Sequence, residues 1–164
     1  MSIKSIPPEP SHGETGGVTL RRAVRADLPA IVAMLADDPL GATRETPADL
    51  APYARAFAAI DADPNHLLLV ADDGGQVVGT LQLTILPGLS RGAALRGQIE
   101  AVRVARSHRS TGLGTAMFEH AFEEGRQRGC TLVQLTSDRE RPDAHRFYDR
   151  LGFTASHFGY KKPL

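Results

Sequence analysis

The sequence has little cysteine, few aromatic residues and no net charge. Its 164 residues include a single cysteine, Cys130, no tryptophan, and 19 basic against 19 acidic residues. One cysteine excludes an internal disulfide and any metal site built from several cysteines. The charge balance, with only 5% aromatic residues, disfavours a nucleic-acid-binding surface, which usually carries a basic excess.

Long apolar runs are also missing. No run approaches the ~20 residues that span a bilayer, and the N-terminus lacks a basic segment followed by an apolar one. We therefore expect a cytoplasmic protein without membrane contact. The six histidines show no ligand spacing, so no metal site is predicted.

The length suits one domain. Residues 1–17, rich in proline and glycine, are predicted to be a flexible tail, and residues 18–164 are predicted to form the domain.

Hydrophobic periodicity predicts alternating strands and helices in that domain. The predicted strands are residues 18–24, 66–72, 76–87, 98–105 and 131–137, and residues 153–164 are expected to close the sheet. The predicted helices are residues 26–38, 47–62, 112–128 and 142–151, with Asp27 capping the first and Pro47 opening the second. An Asp-Gly-Gly turn makes a hairpin of the second and third strands. The order predicts an α/β fold: a mixed, mostly antiparallel sheet flanked by helices.

The segment RVARSHRSTGLGTAMFEHAF, residues 103–122, places basic residues directly before two glycines and a helix. The first N–H groups of a helix lack partners and, with the helix dipole, bind anions. Gly112 and Gly114 let the backbone approach an anion closely. Arg109 and the two hydroxyl residues after it add donors. This turn is predicted to bind phosphate.

Two common phosphate-binding motifs do not fit the turn. A Walker P-loop needs Lys and then Ser or Thr after its glycine, but Gly114 is followed by Thr115 and Ala116. A dinucleotide fingerprint needs a third glycine where this chain has Met117, and it belongs to the first βαβ unit of a domain. The turn does contain the pattern Arg-x-x-Gly-x-Gly, from Arg109 to Gly114.

This pattern lies between the strand IEAVRVA and a helix, and TLVQLTS and AHRFYDRLGF follow. The ordered set, about residues 98–155, resembles the GNAT superfamily of N-acetyltransferases. The resemblance implies acetyl-CoA as co-substrate, with its pyrophosphate on the backbone amides of the turn. It also implies a preceding strand that splays from its neighbour and pairs with the pantetheine arm. The cofactor-binding residues so implied are Val102, Arg103, Val104, Arg109, Ser110, Thr111, Gly112, Leu113, Gly114 and Thr115. Arg141 stands where the family often has asparagine, which leaves a side-chain contact to the cofactor open there.

Glu100 is the candidate general base. It lies inside a predicted strand, where a carboxylate is unexpected, and strict alternation places it on one face with Val102 and Val104. The resemblance implies that a glutamate here works through water. The alternative is a structural ion pair with Arg96 or Arg103.

Tyr148 is the candidate general acid. The resemblance implies that its hydroxyl protonates the departing CoA thiolate, and the alternative is a tyrosine that ends at the edge of the core. Asp138 and His145 are reserve candidates for proton transfer. Cys130 lies beyond the helix that follows the turn, so an acyl-cysteine intermediate is not expected.

The implied reaction is direct attack of a small-molecule primary amine on acetyl-CoA in a ternary complex. Near the expected mouth, His157, Tyr160, Lys161 and Lys162 either select an acidic or phosphorylated amine or form a solvated rim. A non-catalytic acyl-CoA-binding module and a protein N-acetyltransferase are the alternative functions. The resemblance also implies a homodimer.

Overall fold

Six strands form one sheet with helices on both faces, in a computed structural model that describes residues 14–15, 17–37 and 41–164. The strands are β1 (Glu14–Thr15), β2 (Val18–Arg22), β3 (His66–Asp73), β4 (Gln76–Leu86), β5 (Leu95–Val104) and β6 (Cys130–Leu135). The helices are α1 (Leu28–Ala36), α2 (Ala51–Ala62), α3 (Ser90–Ala93), α4 (Leu113–Gln127) and α5 (Pro142–Arg150). None of the helices in these ranges is long and apolar enough to span a bilayer.

The strands lie in the sheet in sequence order, β1 to β6. Each neighbouring pair is antiparallel except β5 and β6, which are parallel and are joined through α4. The predicted mixed, mostly antiparallel sheet is therefore confirmed, and so is the hairpin of β3 and β4.

The two faces of the sheet bury different sets of residues. On one face, Leu69, Leu81 and Ile99 pack against Met117 and Phe118 of α4, and α5 joins the edge of this cluster. On the other face, α1 and α2 cover Leu68 and Val70 of β3 and Ala23 of the segment between β2 and α1. We call these two sides of the sheet the α4 face and the α1/α2 face.

The second helix begins at Ala51, four residues later than predicted. Asp49 donates its N–H to the carbonyl of Thr46 at 3.0 Å, and its carboxylate accepts the N–H of Ala51 at 3.0 Å. These bonds close a turn that contains Pro47. Pro52, in contrast, lies in the first turn of α2, where its missing N–H needs no intrahelical partner.

Asp27 precedes α1 as predicted, but its carboxylate does not cap the helix. Its oxygens accept the guanidinium of Arg21 at 2.8 and 2.9 Å and the N–H of Val24 at 2.8 Å. Arg21 also donates to Asp72 at 2.8 Å, which ties β2 and β3 to the start of α1. The hydrogen bonds from Arg21 hold the pKa of Asp27 below its usual range.

Three predicted boundaries are wrong. Residues 88–97, which lie between two predicted strands and are assigned to neither, contain α3, and β5 already begins at Leu95. Residues 153–164, predicted to close the sheet, form no strand and follow α5 without joining an edge. Within the predicted tail, Glu14–Thr15 pairs with β2, and residues 1–13 and 16 lie outside the described residues.

Replacing Asp27 with Ala should lower the free energy of unfolding by about 2 kcal/mol, because Arg21 keeps only Asp72 as a carboxylate partner and the N–H of Val24 loses its acceptor. In the wild type this contribution is present above about pH 4, the ordinary pKa of aspartate. It is lost as the pH falls through the lower pKa of the folded state. Urea unfolding from neutral pH to about pH 3 measures both effects.

The matched control is Glu123→Ala, which removes an exposed carboxylate paired with Arg126 and should change stability little. The stability difference between wild type and Asp27→Ala should shrink towards acidic pH. A difference that stays constant would contradict the assigned role of the ionised carboxylate.

Candidate active site

The central feature of the site is a strand that keeps one neighbour and loses the other. β5 pairs with β4 along most of its length, from Arg96 to Val104. Its pairing with β6 covers only Leu95–Ile99. In the described part of the chain, β6 ends at Leu135, opposite Ile99, so residues 100–104 of β5 have no strand on the β6 side and a gap begins there. The unpaired strand edge implied by the resemblance is therefore present.

A bulge lies at the start of this gap. Gln82 pairs with Glu100 and Thr80 with Arg103, so β5 carries one extra residue opposite Leu81. Ala101 has a φ of 53°, a left-handed conformation that a non-glycine residue rarely adopts.

The bulge corrects the predicted position of Glu100. Val102 and Val104 pack against the core on the α4 face together with Ile99, whereas Glu100 is exposed on the α1/α2 face. Strict alternation would have placed the carboxylate beside the two valines. The extra residue moves the valines to the opposite face.

The backbone at the end of β5 points into the gap. Ala105 donates its N–H to Val78 of β4 at 2.8 Å, so alternation directs the N–H and carbonyl of Val104 away from β4. The carbonyl of Val104 accepts Nε of Arg109 at 3.1 Å, and that of Val102 accepts Nη1 of Arg103 at 2.8 Å. The N–H of Val104 therefore faces the gap as a donor for an extended ligand.

The turn after β5 has the backbone shape of an anion site. Ser110 has a φ of 64° and Gly112, directly before α4, a φ of 88°. These two left-handed residues turn the chain sharply between β5 and α4. The first N–H groups of α4, from Leu113 to Thr115, have no acceptor within the helix. Leu113 is buried in the core, so it contributes to this site only through its backbone.

Gly112 and Gly114 have different surroundings, so glycine suits the two positions for different physical reasons. A Cβ at Gly112 would meet nothing within 4 Å, which is compatible with a ligand at this position. A Cβ at Gly114 would lie 3.2 Å from Cζ of Phe147. The packing of α5 against α4 therefore favours glycine at position 114, since a larger residue would have to displace the Phe147 ring by a few tenths of an ångström.

The arginines of the turn are held by an aspartate that sequence analysis missed. Asp37, after α1, accepts Arg106 at 2.7 and 3.0 Å and lies 3.6 Å from Arg109. The hydroxyl of Thr111 donates to the carbonyl of His108 at 2.7 Å. It is therefore not directed at a ligand, in contrast to the prediction. These contacts brace the turn. No local signal identifies Asp37, which lies 69 residues before Arg106.

Glu100 lies on a polar strip of the α1/α2 face. Its cross-strand partner is Gln82, and the next position on the same face of β5, Gln98, accepts a hydrogen bond from Gln134 of β6 at 2.9 Å. Across the described ranges, Glu100 forms no ion pair with Arg96 or any other residue. The strip is the other feature that sequence analysis missed, although polar residues at alternating positions of β4 and β5 signalled it.

Tyr148 lies on α5, at the edge of the aromatic cluster. Its ring lies 5.8 Å from that of Phe118, and its hydroxyl makes no hydrogen bond within the part of the chain that the structure describes. Burial raises the pKa of Tyr148, and the charges of Arg141 and Arg103 oppose this rise. Ring contacts thus hold Tyr148 in place, and its hydroxyl oxygen remains available to a ligand.

The remaining predicted residues lie apart from the gap or are engaged elsewhere. Nε2 of His145 lies 2.8 Å from the carbonyl oxygen of Asp138, which closes the loop before α5. Cys130 follows the far end of α4, a helix about 22 Å long, and burial raises the pKa of its thiol. Across the described residues, no three His, Cys, Asp or Glu side chains converge as metal ligands. The residues predicted at the acceptor mouth are all exposed: His157, Tyr160, Lys161 and Lys162.

Comparison with known proteins agrees with this geometry. The model of the acetyltransferase (GNAT) family matches residues 29–153. Aminoalkylphosphonate N-acetyltransferase of Salmonella typhimurium is 32% identical over 145 residues, which are 88% of this chain and 90% of that protein. Glucosamine 6-phosphate N-acetyltransferase of Trypanosoma brucei brucei is 40% identical over 82 residues, 49% of this chain and 53% of that protein.

A solved structure also has the same fold. The crystal structure of a Bacillus halodurans C-125 protein, named a transcriptional regulator, is 45% identical, with a TM-score of 0.87 over 90% of this chain and 99% of that chain. The family match, the two relatives and the unpaired edge of β5 beside the glycine turn all indicate the same family. This chain belongs to the GNAT family and is an acetyltransferase.

Proposed function

We propose that this enzyme transfers the acetyl group of acetyl-CoA to a primary amine of a small molecule, by direct attack in a ternary complex. The observation that carries the proposal is the continuity of two backbone features. The gap beside β5 leads directly into the turn at Gly112. An extended, amide-bearing arm that ends in a pyrophosphate needs such a gap followed by such a turn.

The residues of the turn and of β5 fit acetyl-CoA through their backbone. The N–H of Val104 would donate to an amide carbonyl of the arm, as an unpaired strand edge does for an added strand. The N–H groups of residues 111–115 would hold the pyrophosphate, and Gly112 leaves room for it. Arg109 would act through its charge and by fixing the turn to Val104.

Glu100 is proposed as the general base. An alkylamine is protonated at neutral pH, with a pKa near ~10.4, and must lose a proton before its lone pair can attack the thioester carbon. Glu100 is the first residue of β5 past its pairing with β6, so its carboxylate borders the gap. Its exposure and its lack of an ion partner among the described residues suit a base that acts directly or through water.

Tyr148 is proposed as the general acid. The amine nitrogen bonds to the thioester carbon, the carbon–sulfur bond then breaks, and the departing sulfur takes a proton from the phenol. The nitrogen loses its second proton as the amide forms, and that proton restores the phenol. A phenol is a weaker acid than a thiol, about 10 against about 8.5 in pKa, and burial weakens Tyr148 further. The charges of Arg141 and Arg103 oppose this and also favour negative charge on the sulfur.

The alternative functions are separated by a thiol-release assay with a panel of amines. Aminoalkylphosphonates and glucosamine 6-phosphate enter the panel first, because the two curated relatives are named for them. Peptides with free N-termini or lysines test protein acetylation. A chain that binds CoA but releases no thiol with any member would be a binding module, and the proposed reaction would be wrong.

Replacing Gly112 with Asp should weaken acetyl-CoA binding by more than tenfold, about 1.4 kcal/mol. The change adds bulk and negative charge where the pyrophosphate is expected. The control is Gly75→Asp in the β3–β4 turn, since Gly75 has a φ of 94° and equally open surroundings. Calorimetry on both folded variants makes the comparison, and unchanged affinity in Gly112→Asp would move the phosphate site elsewhere.

Replacing Glu100 with Gln should move or abolish the acidic limb of the pH–rate profile. Gln keeps the shape but cannot accept a proton, and general-base catalysis contributes ~10²–10⁴-fold. Glu119→Gln removes the same charge from an exposed position of α4 and should leave the profile intact. If Glu100→Gln keeps both the wild-type rate and the wild-type profile, Glu100 is not the base.

Replacing Tyr148 with Phe should lower kcat by ~10²–10⁴-fold, the usual contribution of general acid catalysis. The change removes one oxygen that makes no hydrogen bond to the described residues, so stability and the KM for acetyl-CoA should change little. Tyr160→Phe, at an exposed tyrosine, is the control. Turnover within about twofold of wild type, with chemistry rate-limiting, would assign the proton to another donor.

A further inference from the structure

A straight row of polar side chains crosses the strands β3 to β6 on the α1/α2 face. The sheet register pairs His66 of β3 with Thr84 of β4. It then pairs Thr84 with Gln98 of β5, and Gln98 with Gln134 of β6. Apolar residues next to them in the chain belong to the core on the α4 face, so alternation directs these side chains to the other face. We call His66, Thr84, Gln98 and Gln134 the polar row. Neighbouring strands are about 4.8 Å apart, so the row is about 14 Å long.

Hydrogen bonds join the members of the polar row in pairs. Nδ1 of His66 lies 3.0 Å from Oγ1 of Thr84, and Nε2 of Gln134 donates to Oε1 of Gln98 at 2.9 Å. A carboxamide has both a carbonyl acceptor and an NH2 donor group. The second bond therefore leaves the NH2 group of Gln98 and the carbonyl oxygen of Gln134 without a partner in the described ranges. A donor and an acceptor thus lie side by side on β5 and β6.

The polar row is unusual for the place that it occupies. Its members are half-buried, and polar groups that leave water need hydrogen-bond partners. Farther along β3, the same face carries the apolar residues Leu68 and Val70, which α1 and α2 cover. The row continues this face with groups whose hydrogen-bonding capacity is only partly used. Such groups suit a ligand that brings donors and acceptors of its own.

The polar row lies one side-chain step from the proposed base. Glu100 is the next residue after Gln98 on this face of β5, and its cross-strand partner is Gln82. Nε2 of Gln82 lies 3.4 Å from Nδ1 of His66, so this residue connects the base to the row. Two residues of a strand span about 7 Å. An acceptor whose amine lies at Glu100 would therefore place atoms about that far from its nitrogen over the row.

The charges around the polar row favour an uncharged ligand. Its one ionisable member is His66, whose Nε2 lies 3.7 Å from the carboxylate of Asp63. Arg96, the other residue of β5 next to Gln98 on this face, points elsewhere. Its Nη2 would lie 3.4 Å from a Cβ at Gly88, which follows the end of β4 and is farther from the row. A phosphate or carboxylate over the row would meet the carbonyl oxygen of Gln134 and no arginine or lysine of the row.

We propose that the polar row is an acceptor subsite that selects primary amines whose carbon skeleton carries uncharged hydroxyl groups, as in amino alcohols and amino sugars. The inference rests on the proposed function, because it places the amine at Glu100. A hydroxyl both donates and accepts hydrogen bonds, so it can satisfy the donor of Gln98 and the acceptor of Gln134 together. A purely apolar amine would displace water from both groups and leave them unpaired, which weakens binding.

The test compares amines that share one rigid ring. The probes are trans-4-aminocyclohexanol, which carries a hydroxyl at the end of the ring opposite the amine, and cyclohexylamine, which lacks it. Thiol release from acetyl-CoA gives kcat/KM for each. Wild type should prefer the aminocyclohexanol by about tenfold or more, because the analogue without the hydroxyl leaves polar groups of the site unpaired. With trans-4-aminocyclohexanecarboxylate, where a carboxylate replaces the hydroxyl, kcat/KM should not exceed that of cyclohexylamine.

Gln134→Met keeps the length of the side chain and removes its hydrogen-bonding groups. It should lower kcat/KM for the aminocyclohexanol by about tenfold and so abolish the preference over cyclohexylamine. The control is Gln76→Met, at an exposed position at the start of β4, which should keep the preference. The proposal is wrong if wild type has no preference, if Gln134→Met keeps it, or if the carboxylate is the best probe. It is also wrong if the aminocyclohexanol is not acetylated while another amine is.

A binding measurement separates failure of this inference from failure of the proposed function. If no amine releases thiol, the proposed reaction is wrong, and calorimetry with trans-4-aminocyclohexanol in excess CoA then tests the polar row by itself. Binding that is tighter than that of cyclohexylamine, and that Gln134→Met weakens by about tenfold, would still support a hydroxyl subsite. No binding, equal binding of the two amines, or binding that Gln134→Met leaves unchanged would overturn it.

Discussion

The site depends on one constraint: β5 must stay paired with β4 while it separates from β6. The separation exposes the N–H of Val104 and makes Glu100 the first residue beyond the paired part. The bulge at Ala101 then decides which side chains face which helices. A left-handed alanine costs about 1–3 kcal/mol, and the pairs with β4 on both sides of it hold it in place. Without this bulge, Val102 and Val104 would lie on the α1/α2 face beside Glu100.

The turn and Tyr148 are mechanically connected through α5. Phe147 lies so close to Gly114 that a methyl group there would have to displace its ring by a few tenths of an ångström. Its ring also packs at 5.6 Å from Phe118, which lies in the same cluster as Tyr148. The N-terminus of α4 and the phenol are therefore parts of one packed unit. Groups that must act on the same ligand are more precise when their supports pack against each other.

Sequence patterns predicted most of the fold because periodicity and turn chemistry are local. The hairpin at Gly74 and the helix after Gly112 followed directly from such signals. The bulge did not, since alanine has no preference for positive φ and strict alternation looked complete. The bond from Asp37 to Arg106 depends on tertiary contact alone. The segment after Phe153 had the pattern of a strand, but a pattern does not say whether its own chain offers an edge.

The basic residues before the glycines acquire a different meaning in the structure. Arg103 and Arg109 donate to carbonyls of β5, and Arg106 and Arg109 contact Asp37. The guanidinium groups thus fix the end of β5 and the turn. The backbone amides are the groups proposed to contact an anion. The charges of Arg106 and Arg109 would also attract an anion over several ångströms. The amides would supply the short-range fit to the proposed pyrophosphate that charge alone cannot provide.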